Sequence, residues 1–297
     1  MLLAWLKASR LASQSYLALS LLLGQAIAFH QTGQLDWTIF VLVHLFGLFD
    51  QLYIVYANDY ADMETDRNNR TFTLFSGGSR VLVEGSLQPR QLKAASLVMV
   101  GLSVLCGVVL TLVYGRRLAL PMIGMSLVLL WMYSYPPLRL NYRGGGELLQ
   151  MFGLGVVLPV FGFYAQSGTL NSFPWSLLWV LLPTQLACAL VTSLPDEPSD
   201  RLSGKNTVAV LLGPTLTKLV IVTLNSVSIA ALSRVDWFRS GDRRFHLLLL
   251  ALTAANLTQL LLRSDAPGTV WLTLRVFLAV LVTTGLMTAM TVMFFVA

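Results

Sequence analysis

The chain has 297 residues, 56% of them hydrophobic and only 11% charged, with a formal net charge of +6. A soluble domain of this length carries about twice that charge, so a large water-soluble core is excluded. The positive charge sits in short segments between apolar runs rather than on a broad soluble face, which excludes nucleic acid as a partner and reads as membrane topology and anion handling.

In chain order, residues 1–10 carry Lys7 and Arg10 ahead of the first long apolar run. No small-residue cleavage site follows, so that run is read as a retained span. Nine apolar runs lie near 11–30, 37–57, 92–114, 118–135, 147–168, 174–195, 207–233, 245–262 and 270–296. Most approach the roughly 20 residues that a helix needs to cross a bilayer core. They predict an all-α, polytopic membrane helix bundle of about nine transmembrane helices, forming one domain over residues 1–297.

The connecting segments set the orientation. With the N-terminus inside, the inner segments hold Lys7, Arg10, Arg67, Arg70, Arg80, Arg90, Lys93, Arg139, Arg143, Arg201, Lys205 and Arg263. The outer loops hold Arg116, Arg117, Arg234, Arg239, Arg243 and Arg244. The excess favours N-inside, against the dissent of the arginines at 234–244, and puts the loops after spans 2, 4 and 6 in the cytoplasm. Nine of the fourteen Asp and Glu crowd into those three segments: Asp59, Asp62, Glu64, Asp66, Glu84, Glu147, Asp196, Glu197 and Asp200. Acidic residues contribute little to topology, so their crowding needs a chemical reason.

The first cluster, Asn58-Asp59-Tyr60-Ala61-Asp62-Met63-Glu64-Thr65-Asp66, ends span 2. On a continuing helix, Asp59, Asp62 and Asp66 fall on one narrow stripe while Glu64 points elsewhere. The second, Asp196-Glu197-Pro198-Ser199-Asp200, ends span 6 and puts two aspartates one turn apart. Carboxylates about 4 Å apart repel by roughly 4 kcal/mol at an effective dielectric of 20, so gathering them requires a counter-charge. Oxygen ligands without His or Cys suit Mg²⁺ bridging to a substrate phosphate. Solvated helix ends explain one such cluster; two on the same side argue for a site. Their placement also suggests a four-helix internal repeat, with span 2 corresponding to span 6.

A diphosphate also needs cations. Ser76-Gly77-Gly78-Ser79-Arg80 offers backbone N–H groups and a bidentate Arg80, and Ser203-Gly204-Lys205-Asn206-Thr207 offers Lys205; neither has P-loop spacing. After span 4, Tyr135-Pro136-Pro137-Leu138-Arg139 ends the helix, and Arg139 and Arg143 are either topology anchors or anion ligands. Cys106 and Cys188, in apolar runs, and the scattered His30, His44 and His246 have no metal spacing and read as structural. Asp50 lies inside span 2, about 180° round the helix from Asp59; it is expected to pair with a polar group on a neighbouring helix. Lys218 is read as snorkelling, and nothing in the sequence accounts for Arg275.

Asn58-Asp59-x-x-Asp62-x-x-x-Asp66 after the second span and Asp196-x-x-x-Asp200 after the sixth resemble the paired motifs of the UbiA superfamily of intramembrane aromatic prenyltransferases. Tyr135…Arg139 matches the superfamily's YxxxK with Arg for Lys, which keeps the charge but alters donor geometry. The stretches 135–147 and 204–213 look most like the menaquinone branch, which prenylates 1,4-dihydroxy-2-naphthoate. The resemblance implies Mg²⁺-dependent transfer from a prenyl diphosphate to an aromatic quinone precursor in the membrane. It implies metal binding by Asn58, Asp59, Asp62, Asp66, Asp196 and Asp200, and diphosphate binding by Arg80, Lys205, Arg143 and Asn58. Catalytic roles fall to Asp62, Asp196, Tyr135 and Arg139. The active site is expected on the cytoplasmic side of a bacterial inner membrane, with membrane lipid as the surroundings and no nucleic acid. The alternatives are a prenyltransferase acting on a different acceptor, and a secondary transporter with a carboxylate ion site, whose ligands would sit near the midplane of broken helices. An alcohol phosphotransferase is disfavoured because its DGxxAR…GxxxD pattern is missing.

Overall fold

Every apolar run forms helix in the computed structural model, which describes residues 1–70, 77–235, 243–264 and 266–296, side chains 12–16 excepted. A short helix α1 (Leu2–Ala8) precedes α2 (Leu11–Thr32) and α3 (Trp37–Ala61), and a one-turn extension, α4 (Met63–Asn68), follows. Next come α5 (Pro89–Leu112) and α6 (Ala119–Ser134). The fifth run is α7 (Gly146–Phe152), a π-helical turn over Gly153–Val157, and α8 (Leu158–Ser167). Then follow α9 (Leu178–Ser193), α10 (Glu197–Leu202), α11 (Val208–Leu232), α12 (Arg243–Leu261) and α13 (Val270–Val296). No strand occurs among the described residues.

Seven of these segments are long and apolar enough to cross a membrane. The first and fourth expected spans are shorter apolar stretches, Leu17–Thr32 and Ala119–Ser134. The chain is therefore an integral, multi-pass, all-α membrane protein with at least seven spanning helices among the described residues. Large apolar side chains such as Leu97, Leu112, Trp179 and Leu250 are exposed on the outside. In lipid that is their favourable environment, because the side chains meet apolar acyl chains while the helices satisfy their backbone internally.

Local chemistry explains the helix ends. Asp36 starts α3 by accepting from the backbone N–H of Thr38 at 2.8 Å and of Ile39 at 3.0 Å. Gln88 starts α5 with a capping box, followed by Pro89 where no N–H is needed. Helix α11 breaks at Gly213–Pro214, since proline cannot donate to the preceding turn.

Helices α2 and α8 cross closely because glycines meet backbone. A Cβ on Gly24 would overlap the carbonyl oxygen of Pro159, and one on Gly162 would overlap that of Leu21. The second half is joined by polar bonds: Thr184 Oγ1 to Asn225 Oδ1 and to Thr283 Oγ1, each 3.1 Å, and Asn256 Nδ2 to the Val222 carbonyl at 2.9 Å. Arg275, fully buried, donates to the Gln259 and Leu262 carbonyls at 3.1 and 3.4 Å. It thereby closes the C-terminal end of α12, where carbonyls lack helical partners and a cation is favoured. The two cysteines are buried and unpaired with each other, as expected of packing residues.

Candidate active site

The ends of α3 and α9 are brought together, although more than a hundred residues separate them in sequence. Their meeting builds a polar cavity of about 180 Å³ whose walls include Asn58, Asp62, Asp66, Asp196, Asp200 and Lys205. All are residues that the two acidic motifs and the 203–207 segment point to. The helix angle places them: Asn58, Asp62 and Asp66 follow one another up the inner stripe at the end of α3 and along α4.

The carboxylates share and divide a small set of partners. Lys205 Nζ lies 2.9 Å from Asp62 Oδ2 and 3.7 Å from Asp200 Oδ1, so one cation joins both motifs. Burial alone would discharge Lys205, but Asp62 and Asp200 outweigh it and hold the ammonium above its ordinary pKa. Asn69 Nδ2 donates to Asp196 Oδ1 at 2.6 Å, and the Gly77 N–H donates to Asp196 Oδ2 at 3.3 Å. Tyr142 Oη donates to Asp62 Oδ1 at 3.2 Å and lies 2.9 Å from Thr65 Oγ1. Burial, with Asp59 next in size, pushes Asp66 up to about 7. Its carboxylate rests against Gly78, where a Cβ would overlap Oδ2; with a φ of +70°, that position needs glycine on both counts.

Asp59 stands behind the wall. It is paired with the Arg10 guanidinium and accepts from the Ser79 side chain and backbone N–H. Arg10, between α1 and α2, lines the cavity. Burial opposes its charge, but Asp59 and Asp66 raise its pKa. The sequence suggested only a topology role for Arg10. Its one signal was a cation immediately ahead of the first span.

Other expected site residues lie elsewhere. Arg80 donates to the carbonyls of Asp66 at 2.9 Å and Asn69 at 3.2 Å, fastening the glycine-rich segment to α4 instead of lining the cavity. Ser76 lies outside the described residues, and the N–H groups of Gly77 and Ser79 bond aspartates. Arg139 stacks on the Tyr142 ring, 3.6 Å from its centroid, and with Tyr135 lines a separate open cleft. Tyr135 Oη donates to the Ala57 carbonyl at 3.1 Å. Arg143 is exposed and outside the cavity. Of the 234–244 arginines, Arg239 is outside the described residues. Tyr133, Gln150, Thr192 and Glu147 also line the cavity. Tyr133, Gln150 and Thr192 belong to no motif; Glu147, at the end of the 135–147 stretch, accepts the Val208 N–H at 2.8 Å and so fixes the start of α11.

The lining is chemically suited to a hard divalent cation, with five carboxylates (Asp62, Asp66, Glu147, Asp196 and Asp200), side-chain amides including Asn58, and neither His nor Cys. Among the described residues no three such side chains converge on one point. Lys205 bridges Asp62 and Asp200, and Arg10 engages Asp59 behind the wall.

Comparison with known proteins gives the site a context. Residues 17–297 match the family model described as the UbiA prenyltransferase family. The 2-carboxy-1,4-naphthoquinone phytyltransferase of Synechocystis sp. is 25% identical over 240 residues, covering 78% of this chain and 73% of that protein. The 1,4-dihydroxy-2-naphthoate octaprenyltransferase of Escherichia coli is 27% identical over 257 residues, covering 84% and 81%. The structure of a UbiA homologue from Archaeoglobus fulgidus bound to GPP and Mg²⁺ shares the fold with a TM-score of 0.62 and 16% identity, covering 96% of this chain and 99% of that one.

Proposed function

From the premise that the chain belongs to the UbiA prenyltransferase family, and so is a membrane prenyltransferase, we propose that it moves a prenyl group from a prenyl diphosphate to a naphthoate-type aromatic acceptor, with Mg²⁺. The observation that carries the reading is the Lys205 ammonium bonded to Asp62 of one motif and facing Asp200 of the other across one cavity. A transporter's ion site has no need of a lysine joining its two acidic motifs, whereas a diphosphate pocket does. The names of the two naphthoate prenyltransferases support the acceptor class.

Asn58, Asp62, Asp66, Asp196 and Asp200 would hold the metal ion, with Asp59 behind them keeping Arg10 in place. Mg²⁺, when bound, neutralises charge that builds on the departing diphosphate. Lys205 and Arg10 supply the protein's own cations to the same anion, in place of the Arg80 and Arg143 that the sequence suggested. Arg80 acts through the backbone of residues 66–69, and Arg139 through its stack on Tyr142. Departure of the diphosphate leaves an allylic cation on the prenyl carbon. The apolar bundle below Asn58 keeps water from it. The electron-rich ring then attacks that carbon, forming the new C–C bond, and loses a proton or CO₂ to regain aromaticity. The lysines and arginines around the site support a cytoplasmic orientation, with the chain read as a single domain over residues 1–297.

The test is product analysis with purified protein, a panel of prenyl diphosphates and aromatic acceptors. Turnover is expected to require Mg²⁺, to stop with EDTA, and to fall about 10²-fold or more in Asp62→Asn and Asp196→Asn, since each removes a carboxylate that would hold the metal ion against the leaving diphosphate. Substrate uptake into vesicles without any prenylated product would reverse the assignment in favour of transport.

A further inference from the structure

A second chamber, of about 260 Å³, adjoins the polar cavity and is lined largely by Leu17, Ile54, Leu129, Leu130, Leu154 and Leu158. The two share Arg10, Asn58, Tyr133, Gln150 and Thr192, so a reactant can extend from one into the other. One wall includes the start of the π-helical turn at Gly153, an irregularity that often marks functional sites in membrane helices. The chamber is not purely apolar. Asp50 lines it, eight residues before Asn58 on α3 and so about 12 Å along the axis. The residue is 1% exposed. Ser126 Oγ donates to its Oδ2 at 2.7 Å, as the expected partner on a neighbouring helix. Its Oδ1 is buried with no hydrogen-bond partner.

A carboxyl oxygen kept bare inside a membrane helix bundle is costly, and intramembrane carboxyls that persist are commonly used. A hydrocarbon prenyl tail against Asp50 would leave that oxygen unsatisfied. A ring hydroxyl would satisfy it. We propose that this chamber seats the aromatic acceptor and that Asp50 Oδ1 accepts a hydrogen bond from one of its ring hydroxyls, making Asp50 a specificity residue that selects hydroxylated over non-hydroxylated rings. The assignment rests on the reading of the chain as an aromatic prenyltransferase. The placement is consistent with transfer between the cavities: the chamber meets the polar cavity at the shared Asn58 and Tyr133, so a ring seated in it would lie next to the diphosphate site. A site built to pair a hydroxyl discriminates strongly against analogues that lack it.

The experiment measures equilibrium binding of 1,4-dihydroxy-2-naphthoate and of 2-naphthoate to full-length protein in nanodiscs, without prenyl donor, for wild type, Asp50→Leu and Asp50→Asn. Wild type is expected to prefer the hydroxylated ring by at least about tenfold, equivalent to about 1.4 kcal/mol. Asp50→Leu should bring the ratio close to one, and Asp50→Asn, which can still bond Ser126, should keep part of it. Mg²⁺-dependent pyrophosphate binding, expected unchanged, shows that each variant is folded. The proposal is overturned if wild type binds neither ring, if the ratio is the same in all three proteins, or if Asp50→Leu weakens prenyl diphosphate binding while the ratio stays. Turnover is read in parallel: absence of product from wild type sinks the proposed function, whereas hydroxyl-selective binding lost in Asp50→Leu still supports the chamber assignment.

Discussion

Replacing Lys205 with methionine separates the two jobs of the acidic cavity. Lys205 is 9% exposed, with its ammonium 2.9 Å from Asp62 and 3.7 Å from Asp200. At an effective dielectric of 20 these distances correspond to gross attractions of about 6 and about 4 kcal/mol. Desolvation of the three charges consumes much of that, but removing one partner leaves the others buried and uncompensated, typically at about 3–5 kcal/mol. Lys205→Met is therefore expected to lower the stability of the metal-free protein by about 3 kcal/mol. The same loss makes the cavity more negative, so Mg²⁺ should bind more tightly and restore more stability than in wild type, while pyrophosphate should bind more weakly. Chemical unfolding in detergent, with EDTA, with an Mg²⁺ series and with Mg²⁺ plus pyrophosphate, reads all three effects. Metal-free stability within about 1 kcal/mol of wild type, together with an unchanged Mg²⁺ midpoint, would refute the coupling of both motifs through this lysine.

Two further outcomes come from the same geometry. Asp66 is raised to about 7, so the folded metal-free protein keeps a proton there that the unfolded chain releases near pH 4. Its contribution to stability must then fall as pH rises from about 4 to 7 and level off above, and the Mg²⁺ concentration for half-saturation must fall over the upper part of that range; a pH series of metal titrations by thermal shift checks both. At the α2–α8 crossing, Gly24→Ala puts a methyl into the Pro159 carbonyl and is expected to cost about 1–3 kcal/mol, whereas Gly101→Ala, with open space around it, should cost little; paired unfolding curves decide the matter.

Much of the site was legible because its residues follow a helical period. Of the stripe Asp59, Asp62 and Asp66 expected from spacing, Asp62 and Asp66 line the cavity with Asp196 and Asp200, whereas Asp59 turns behind the wall to Arg10 and its neighbour Asn58 takes the lining position. The same angular reasoning set Asp50 apart from Asp59, and the structure gives Asp50 Ser126 as its partner. Arginines were read less well. Arg80, Arg139 and Arg143 were candidates for the anion because they are basic and near the motifs, yet a long side chain reaches several ångströms in any direction, and only packing decides which. Arg80 turned to backbone carbonyls, Arg139 to an aromatic ring and Arg143 to the surface. Arg10 went the other way, into the cavity.

Composition and apolar run length determined by themselves that this is a helical membrane protein, since a bilayer admits no other use of such runs in a chain of this pattern. Motif spacing determined which carboxylates share a face, since that depends only on local helix geometry. Tertiary structure decided which cation meets which carboxylate, that Asn69 and Tyr142 bond the aspartates, and that a chamber containing Asp50 opens beside them. Those contacts join residues tens to more than a hundred positions apart. Their selection depends on how close-packed helices cross, which no period within one helix encodes.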